Sequence, residues 1–485
     1  MRSTSRGLLA CLVPLGLASP VPAQCATGTS TVSGFDGPVT ASVLWDPDGA
    51  GPLPKHLVVA GSFTTAGGVS ANGIARLDPQ TGSWSALGSG VQGVRKFAVL
   101  PGGELVAAGT FSSAGGVAAN NLAQWNGSTW APLGAGVAAM VRAVVVTPQG
   151  ELVVANALST SPTMSQVHRW DGVGWSVLGT WSGSIKCTLA IGPNGELLFA
   201  NTAGIVHWTG SAWAPHAPGM TWIDVIAATP DGKLFGAGTL TGSLPNFALW
   251  NGATWTPLGP TYGYPFGMQW ASEVDFLPNG DLVVCGFFFF TGPLGAPVPP
   301  QNVARWNGSA WSGFANLGFS SVYTATFLPK GHLFLGGPMQ NLARIDTTCP
   351  AQQAGAGAGC NGSGGANVLA VETLPWIGGR FRAHATGLPA LSLVSEVFGL
   401  STLSLPLSAV LPQGQPGCDL LVMPDYVNFS LAANGAATTE LVIPNAPFLV
   451  GATFFHQLNL FEYSPGVGFV AITASNALAM TVGSF

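Results

Sequence analysis

The chain has 485 residues, including 68 glycines and 37 prolines, and only 7% of its residues are charged. This composition excludes intrinsic disorder, because 47% of the residues are hydrophobic and the net charge is only −5. A helical protein is also disfavoured, since glycine and proline are the two poorest helix formers. The composition therefore predicts a turn-rich, all-β protein with few groups for acid–base chemistry.

Residues 1–23 have the features of a secretory signal peptide. Two arginines precede a short apolar run, and a small-residue cleavage site ends at Ala23. The apolar run is shorter than the roughly 20 residues that a membrane-spanning helix needs. We therefore expect a protein that is secreted or held at the cell surface, with no transmembrane segment in the mature chain. Nucleic acid is not an expected partner, because the basic residues are few and scattered.

One sequence block recurs seven times in residues 24–350. Each block contains a strand, a Pro-x-Gly turn, a second strand that ends in small residues, a loop, and a hairpin marked by tryptophan. The hairpins begin at residues 77, 125, 170, 208, 250, 306 and 345, so they are spaced 38 to 56 residues apart. Four strands in every block of about 40 to 45 residues is the period of a β-propeller blade.

These blocks predict a seven-bladed β-propeller over residues 24–350. The seventh block ends after Ile345 and Asp346 without an outer strand, whereas residues 27–36 precede the first inner strand. We therefore expect the N-terminal segment to supply the last strand of the seventh blade and so to close the ring. This closure would bring Cys25 near Cys349.

The hairpin at residues 77–84, LDPQTGSW, resembles that of a kelch repeat, which pairs such a hairpin with a strand that ends in two glycines. Most blocks here have Ala-Gly and Asn-Gly in place of these elements. The segments GSFTTAGG (61–68) and WNGSTW (125–130) are more similar to exported bacterial propeller repeats. The resemblance implies a kelch-like or galactose-oxidase-like fold and implies no activity.

The tryptophan hairpins stop before residue 350, and the next segment, AQQAGAGAG (351–359), predicts a Gly/Ala linker. Residues 360–485 contain short alternating segments and many turn residues, so we expect a small β-sandwich there. Tails of this kind accompany the bacterial repeats, and the resemblance implies a role in surface association or sorting.

An even number of cysteines follows the signal segment, which predicts structural disulfides in an exported chain. They are Cys25, Cys187, Cys285, Cys349, Cys360 and Cys418. Six cysteines allow 15 pairings. Ring closure suggests a bond between Cys25 and Cys349, and a bond between Cys360 and Cys418 could staple the C-terminal domain. No Cys-x-x-Cys motif is present, so we expect no metal and no cofactor.

The sequence offers no catalytic residues. The copper site of galactose oxidase needs paired tyrosines and histidines, but the 5 tyrosines and 7 histidines fall in unrelated repeat positions. A sialidase needs clustered arginines, and the arginines here are mostly one to a block. The carboxylates Glu104, Glu151, Glu196 and Asp281 occupy one repeat position at a tight turn. We interpret these carboxylates as charged groups that keep the turn solvated.

Binding has more support, because the connections opposite the Pro-x-Gly turns vary most, and recognition usually lies in variable loops on a rigid scaffold. An aromatic group lies in and before block six: Tyr262, Tyr264, Phe266, Trp270, Phe288 and Phe290. Flat aromatic surfaces offer large contact area at low entropic cost, which predicts a site for a glycan or a protein or peptide ligand. The alternative is that the phenylalanines pack under their own loop.

We therefore expect a monomeric, non-catalytic binding or surface-scaffold protein. The alternative is a carbohydrate-active enzyme, either a hydrolase or a lyase, that acts from the variable face. Three ionisable side chains converging in the central channel would favour the enzyme. A channel lined by alanine, valine and glycine would favour binding.

Overall fold

A computed structural model of the chain describes residues 27–49, 53–79, 81–158, 164–182, 187–240, 245–258, 270–288, 302–313, 321–328, 331–338, 342–347, 349–390, 392–464 and 466–484. The regular structure of these residues is β, apart from a one-turn helix, Leu407–Val410, and a 3-10 turn, Pro447–Leu449. This confirms the predicted all-β class. Two compact units are present, which we call the repeat unit (Thr29–Leu328 with His332–Asp346) and the C-terminal unit (chiefly Thr347–Phe485).

Within the described residues, the repeat unit contains seven four-stranded sheets, of which six are each built from one sequence block and the seventh combines block seven with the N-terminal segment. Sheets 1 and 2 consist of Val39–Trp45, His56–Gly61, Ile74–Leu77 and Trp84–Ala86, and of Val94–Val99, Leu105–Gly109, Leu122–Trp125 and Trp130–Pro132. Sheets 3 and 4 consist of Met140–Val146, Leu152–Leu158, Met164–Trp170 and Trp175–Ser182, and of Cys187–Ile191, Leu197–Asn201, Gly204–Trp208 and Trp213–His216. Sheets 5 and 6 consist of Met220–Ala228, Leu234–Leu240, Pro245–Trp250 and Trp255–Pro257, and of Trp270–Phe276, Leu282–Phe287, Val303–Trp306 and Trp311–Gly313. Sheet 7 consists of Thr324–Leu328, His332–Gly336, Leu342–Thr347 and Thr27–Val32.

The first strand of each sheet in the order given above is its inner strand. Each inner strand packs against that of the next sheet, and the inner strand of sheet 7 packs against that of sheet 1. The inner strands therefore surround a central channel. In sheet 7 the outer strand, Thr27–Val32, lies beside Leu342–Thr347. This confirms the prediction that the N-terminal segment completes the last block.

The second tryptophan of a hairpin connects its sheet to the preceding sheet. Its indole N–H donates a hydrogen bond, 2.5 to 3.0 Å long, to a backbone carbonyl in or just after the preceding outer strand. The pairs are Trp130 with Leu87, Trp175 with Leu133, Trp213 with Leu178, Trp255 with Ala217, and Trp311 with Leu258. The repeated tryptophan is thus a structural link between sheets, which explains why it recurs in the sequence.

The C-terminal unit packs two antiparallel sheets around a shared apolar core, and two smaller apolar clusters lie beside it. The larger sheet has the order Gln352–Gly357, Ala477–Thr481, Thr453–Ser464, Ser392–Gly399 and Tyr426–Leu431, with Gly468–Ala474 also paired to Thr453–Ser464. The smaller sheet has the order Val368–Thr373, Arg380–Thr386 and Ala437–Val442. Two hairpins join Asn361–Gly362 with Gly365–Ala366 and Thr402–Pro406 with Asp419–Val422. Phe381 of the smaller sheet and Val394 and Leu458 of the larger one meet in the core.

The predicted linker differs from the structure. Gln352–Gly357 forms an edge strand that pairs antiparallel with Ala477–Thr481. A strand pairs through backbone N–H and C=O groups, so glycine and alanine can form one where a neighbouring strand supplies the partners. The expectation of a linker across residues 351–359 is therefore wrong for this strand.

The cysteines are divided between disulfides and free thiols. Cys360 and Cys418 form a disulfide with their Cα atoms 5.3 Å apart, as expected. Cys349 is also disulfide-bonded, and its predicted partner, Cys25, lies outside the described residues. The expectation of disulfides at Cys187 and Cys285 is wrong, because both are free thiols. Cys187 lies in sheet 4 and Cys285 in sheet 6, so the intervening sheet keeps them apart.

Candidate functional site

The structure describes two of the six predicted aromatic residues. Tyr262, Tyr264, Phe266 and Phe290 lie outside the described residues. Trp270 begins the inner strand of sheet 6, and its ring lies 5.3 Å from that of Phe287. Phe288 is fully buried, and its ring meets that of Phe247 edge-on at 5.4 Å. Phe288 therefore packs in the core, whereas the partly buried Trp270 remains a candidate for ligand contact.

The inner strand of sheet 5 presents a tryptophan, Trp222, that is not among the residues predicted from the sequence. Trp222 is 60% exposed, and its φ of +49° lies in the left-handed region, which is unfavourable for a bulky residue. A β-bulge interrupts the strand between Thr221 and Val225. The backbone N–H of Trp222 donates to the carbonyl of Thr202 in sheet 4 over 3.1 Å. Bulges and strained backbone recur beside functional sites, where they redirect a side chain.

Trp222 and Trp270 lie at the same end of neighbouring inner strands. Each is near the start of its strand, at the end of the channel opposite the Pro-x-Gly turns. The backbone N–H of Ala271 donates to Oδ2 of Asp224 over 3.4 Å, which joins the two strands beside these tryptophans. We call Trp222, Asp224 and Trp270 the aromatic mouth. It lies on the face where the sequence predicted a binding site.

A charge pair spans the channel further along. Nζ of Lys96 in sheet 2 lies 3.6 Å from Oε2 of Glu273 in sheet 6, and these two sheets are not neighbours in the ring. The hydroxyl oxygens of Ser42 in sheet 1 and Thr324 in sheet 7 are 2.7 Å apart. The channel is therefore polar at this level and is not lined by alanine, valine and glycine alone.

Asp275, two residues beyond Glu273, is a partly buried carboxylate. Its Oδ1 accepts the N–H of Phe276 at 2.8 Å, and its Oδ2 accepts the N–H of Phe327 in sheet 7 at 3.2 Å. Burial raises the pKa of Asp275 to about 6, although these two hydrogen bonds favour the charged form. Since backbone N–H groups hold both oxygens, Asp275 links two inner strands.

A signal for Trp222 is present in the sequence. The segment MTWIDVIAATP (220–230) places a tryptophan and an aspartate near the start of an inner strand. The pairing of Lys96 with Glu273 left no such signal, because the two residues are distant in sequence and meet only when the ring closes.

Within the described ranges, no group of three or more His, Cys, Asp or Glu side chains is arranged to hold a metal ion. In that same part of the chain, no helix has the length and hydropathy to cross a membrane.

Residues 55–83 match a family described as a domain of unknown function (DUF5122) beta-propeller. The match lies in sheet 1 of a ring of four-stranded sheets. The repeat unit is a β-propeller. No curated protein matches the sequence of this chain.

Solved structures with a similar fold share little sequence with this propeller. A virginiamycin B lyase from Staphylococcus aureus has a TM-score of 0.47 and 10% identity, over 67% of this chain and 99% of that chain. The extracellular domain of a hybrid two-component system from B. thetaiotaomicron has a TM-score of 0.46 and 10% identity, over 94% of this chain and 57% of that chain. The WD40 beta propeller domain of Doa1 has a TM-score of 0.44 and 13% identity, over 66% of this chain and 97% of that chain. At these identities the similarity concerns the fold alone.

Proposed function

We propose that this protein is an exported, non-catalytic binding protein whose propeller binds a glycan at the aromatic mouth. In this proposal the seven sheets are the blades of one complete kelch-like ring, and the C-terminal unit is a β-sandwich that serves surface association. The observation that carries the proposal is Trp222, a large apolar side chain that an unfavourable backbone conformation holds in solvent.

The chemistry of the mouth suits a sugar chain. An indole face matches the apolar face of a sugar ring, and Trp270 supplies a second indole on the adjacent strand. The carboxylate of Asp224 is an acceptor for sugar hydroxyls beside these rings. Export is supported by the Cys360–Cys418 disulfide, because such bonds persist in oxidising compartments.

The proposal excludes catalysis at the channel. An acid or base must reach the proton that it transfers. Two backbone N–H groups hold the carboxylate of Asp275, and Lys96 and Glu273 neutralise each other. These contacts support a structural role for the three ionisable groups.

A glycan array and a cell-wall polysaccharide pulldown on the purified mature protein test the proposal. We expect Trp222→Ala to weaken glycan binding at least about tenfold, the effect of losing an aromatic contact of about 1.4 kcal/mol. Val173→Ala is the matched control, since Val173 is an 88% exposed apolar residue in a hairpin on the opposite face. Glycan binding that survives Trp222→Ala contradicts the proposal, as does a protein that binds peptides and no glycan.

A further inference from the structure

The turn carboxylates are not equivalent in the structure, although they share one repeat position. In sheet 6, Nε of Arg305 lies 2.6 Å from Oδ2 of Asp281, which closes a tight ion pair between adjacent strands. The corresponding pair in sheet 3 is open, with a guanidinium nitrogen of Arg169 3.6 Å from Oε1 of Glu151. The buried Nε of Arg169 has no hydrogen-bond partner. The guanidinium of Arg169 and the carboxylate of Glu151 therefore keep hydrogen-bonding capacity that their mutual contact does not satisfy.

A cleft of about 250 Å³ lies beside the open pair, between sheets 3 and 4. Its polar lining includes Gln149, Glu151, Arg169 and Glu196, and its apolar lining includes Leu197 and Trp208. The volume is below the roughly 300 to 1,000 Å³ of sites for drug-sized ligands, so it fits a ligand of one ring.

The cleft carries one net negative charge. Oε2 of Glu196 accepts the N–H of Asn194 at 2.9 Å, and its Oε1 lies 3.8 Å from Nε2 of His216. Burial lowers the pKa of His216, and nearby His207 lowers it further, while Glu196 acts in the opposite direction. His216 is therefore neutral at pH 7 and does not balance Glu196. Two carboxylates and the Arg169 guanidinium remain.

We propose that this cleft binds a single sugar ring through its hydroxyl groups. A hydroxyl both donates and accepts, so one that enters the Glu151–Arg169 gap can donate to the carboxylate and accept from the guanidinium. An ammonium group cannot accept from Arg169, and a carboxylate ligand is repelled by Glu151 and Glu196. Trp208 and Leu197 give the apolar face of the ring a surface to cover. The cleft is independent of the aromatic mouth. The cleft lies beside the Pro-x-Gly turns, whereas the mouth lies at the opposite end of the propeller.

Saturation-transfer NMR and calorimetry with a panel of methyl glycosides test this proposal on the mature protein. A ligand of this size is expected to bind with a Kd of about 1 mM. We expect Glu151→Gln and Glu196→Gln each to weaken binding about tenfold or more. Glu104→Gln is the matched control, because Glu104 holds the same repeat position in sheet 2 and does not line the cleft.

The results separate this site from the mouth. Monosaccharide binding that Glu151→Gln abolishes, and that Glu104→Gln and Trp222→Ala leave unchanged, supports the cleft. Monosaccharide binding lost in Trp222→Ala but kept in Glu151→Gln assigns the sugar to the mouth and overturns the inference. No binding at concentrations up to about 50 mM, well above the expected Kd, also overturns it. Binding of methylamine in place of every glycoside refutes the ligand class.

Discussion

Asp275 gives the propeller a pH-dependent stability whose size follows from the structure. Burial raises the pKa of Asp275 to about 6, whereas an aspartate in an unfolded chain has a pKa of about 3.9. One pKa unit corresponds to about 1.4 kcal/mol, so ionisation of Asp275 costs the folded propeller about 3 kcal/mol. About 0.5 kcal/mol of this cost is already present at pH 4. The rest develops mainly between pH 4 and pH 6, where the carboxyl of the unfolded chain ionises while that of the folded chain stays protonated, and the cost is complete by about pH 7.

We expect Asp275→Asn to remove this pH dependence. Asparagine does not ionise, but its one oxygen can accept from only one of the N–H groups of Phe276 and Phe327. The lost hydrogen bond is a cost of about 1 to 3 kcal/mol that does not change with pH. The stability of the variant relative to the wild type should therefore rise by about 2.4 kcal/mol between pH 4 and pH 8.

Urea denaturation followed by tryptophan fluorescence measures this difference. Of the 16 tryptophans, Trp376 alone lies in residues 347–485, so the signal reports the propeller. Asp171→Asn is the control. Hydrogen bonds from the N–H groups of Gly174 and Val173 lower the pKa of Asp171, and other blocks have asparagine at this position. Relative to the wild type, that variant should gain no stability as the pH rises. Parallel pH profiles for the wild type and Asp275→Asn would refute the reasoning.

Two further predictions concern Trp222 and His456. Trp222→Gly should raise the midpoint of urea denaturation by an amount equivalent to about 1 kcal/mol, because glycine adopts a φ of +49° without strain. Trp222→Ala is the control, because alanine keeps a Cβ and should give no such gain in stability. Burial lowers the pKa of His456 to about 4, so the C-terminal unit should lose up to about 3 kcal/mol as the pH falls from 7 to 4. Thermal scans monitored by circular dichroism at both pH values should show this loss in the wild type and not in His456→Gln, and an equal loss in both proteins would contradict it.

Much of the fold could be predicted because each block repeats the same local signals. The tryptophans recur because their indole N–H groups join neighbouring sheets, as Trp175 does with Leu133. The missing strand of the last block and the extra segment at the N-terminus pointed to Thr27–Val32 in sheet 7. The edge strand Gln352–Gly357 was missed because its pairing depends on Ala477–Thr481, which is distant in sequence.

The candidate sites were harder to predict because they depend on departures from the repeat. Phe288 belongs to an aromatic run that could either bind a ligand or pack under its own loop, and the structure buries it. Trp222 depends on a β-bulge and a positive φ, and neither has a side-chain signature in the sequence. Glu151 and Asp281 look alike in the repeat, and only the distances to Arg169 and Arg305 distinguish an open pair from a closed one.

The strand Thr27–Val32 imposes an order of events on folding. It emerges from the ribosome before the rest of the propeller, yet its partner, Leu342–Thr347, is made last. Sheets 1 to 6 can form as they emerge, but sheet 7 must wait until both ends of the repeat unit are available. The entropic cost of pairing two strands so far apart in sequence is modest, because it grows by only about 0.6 kcal/mol for each doubling of loop length. The larger effect is on the folding rate, since pairing between distant segments is slow.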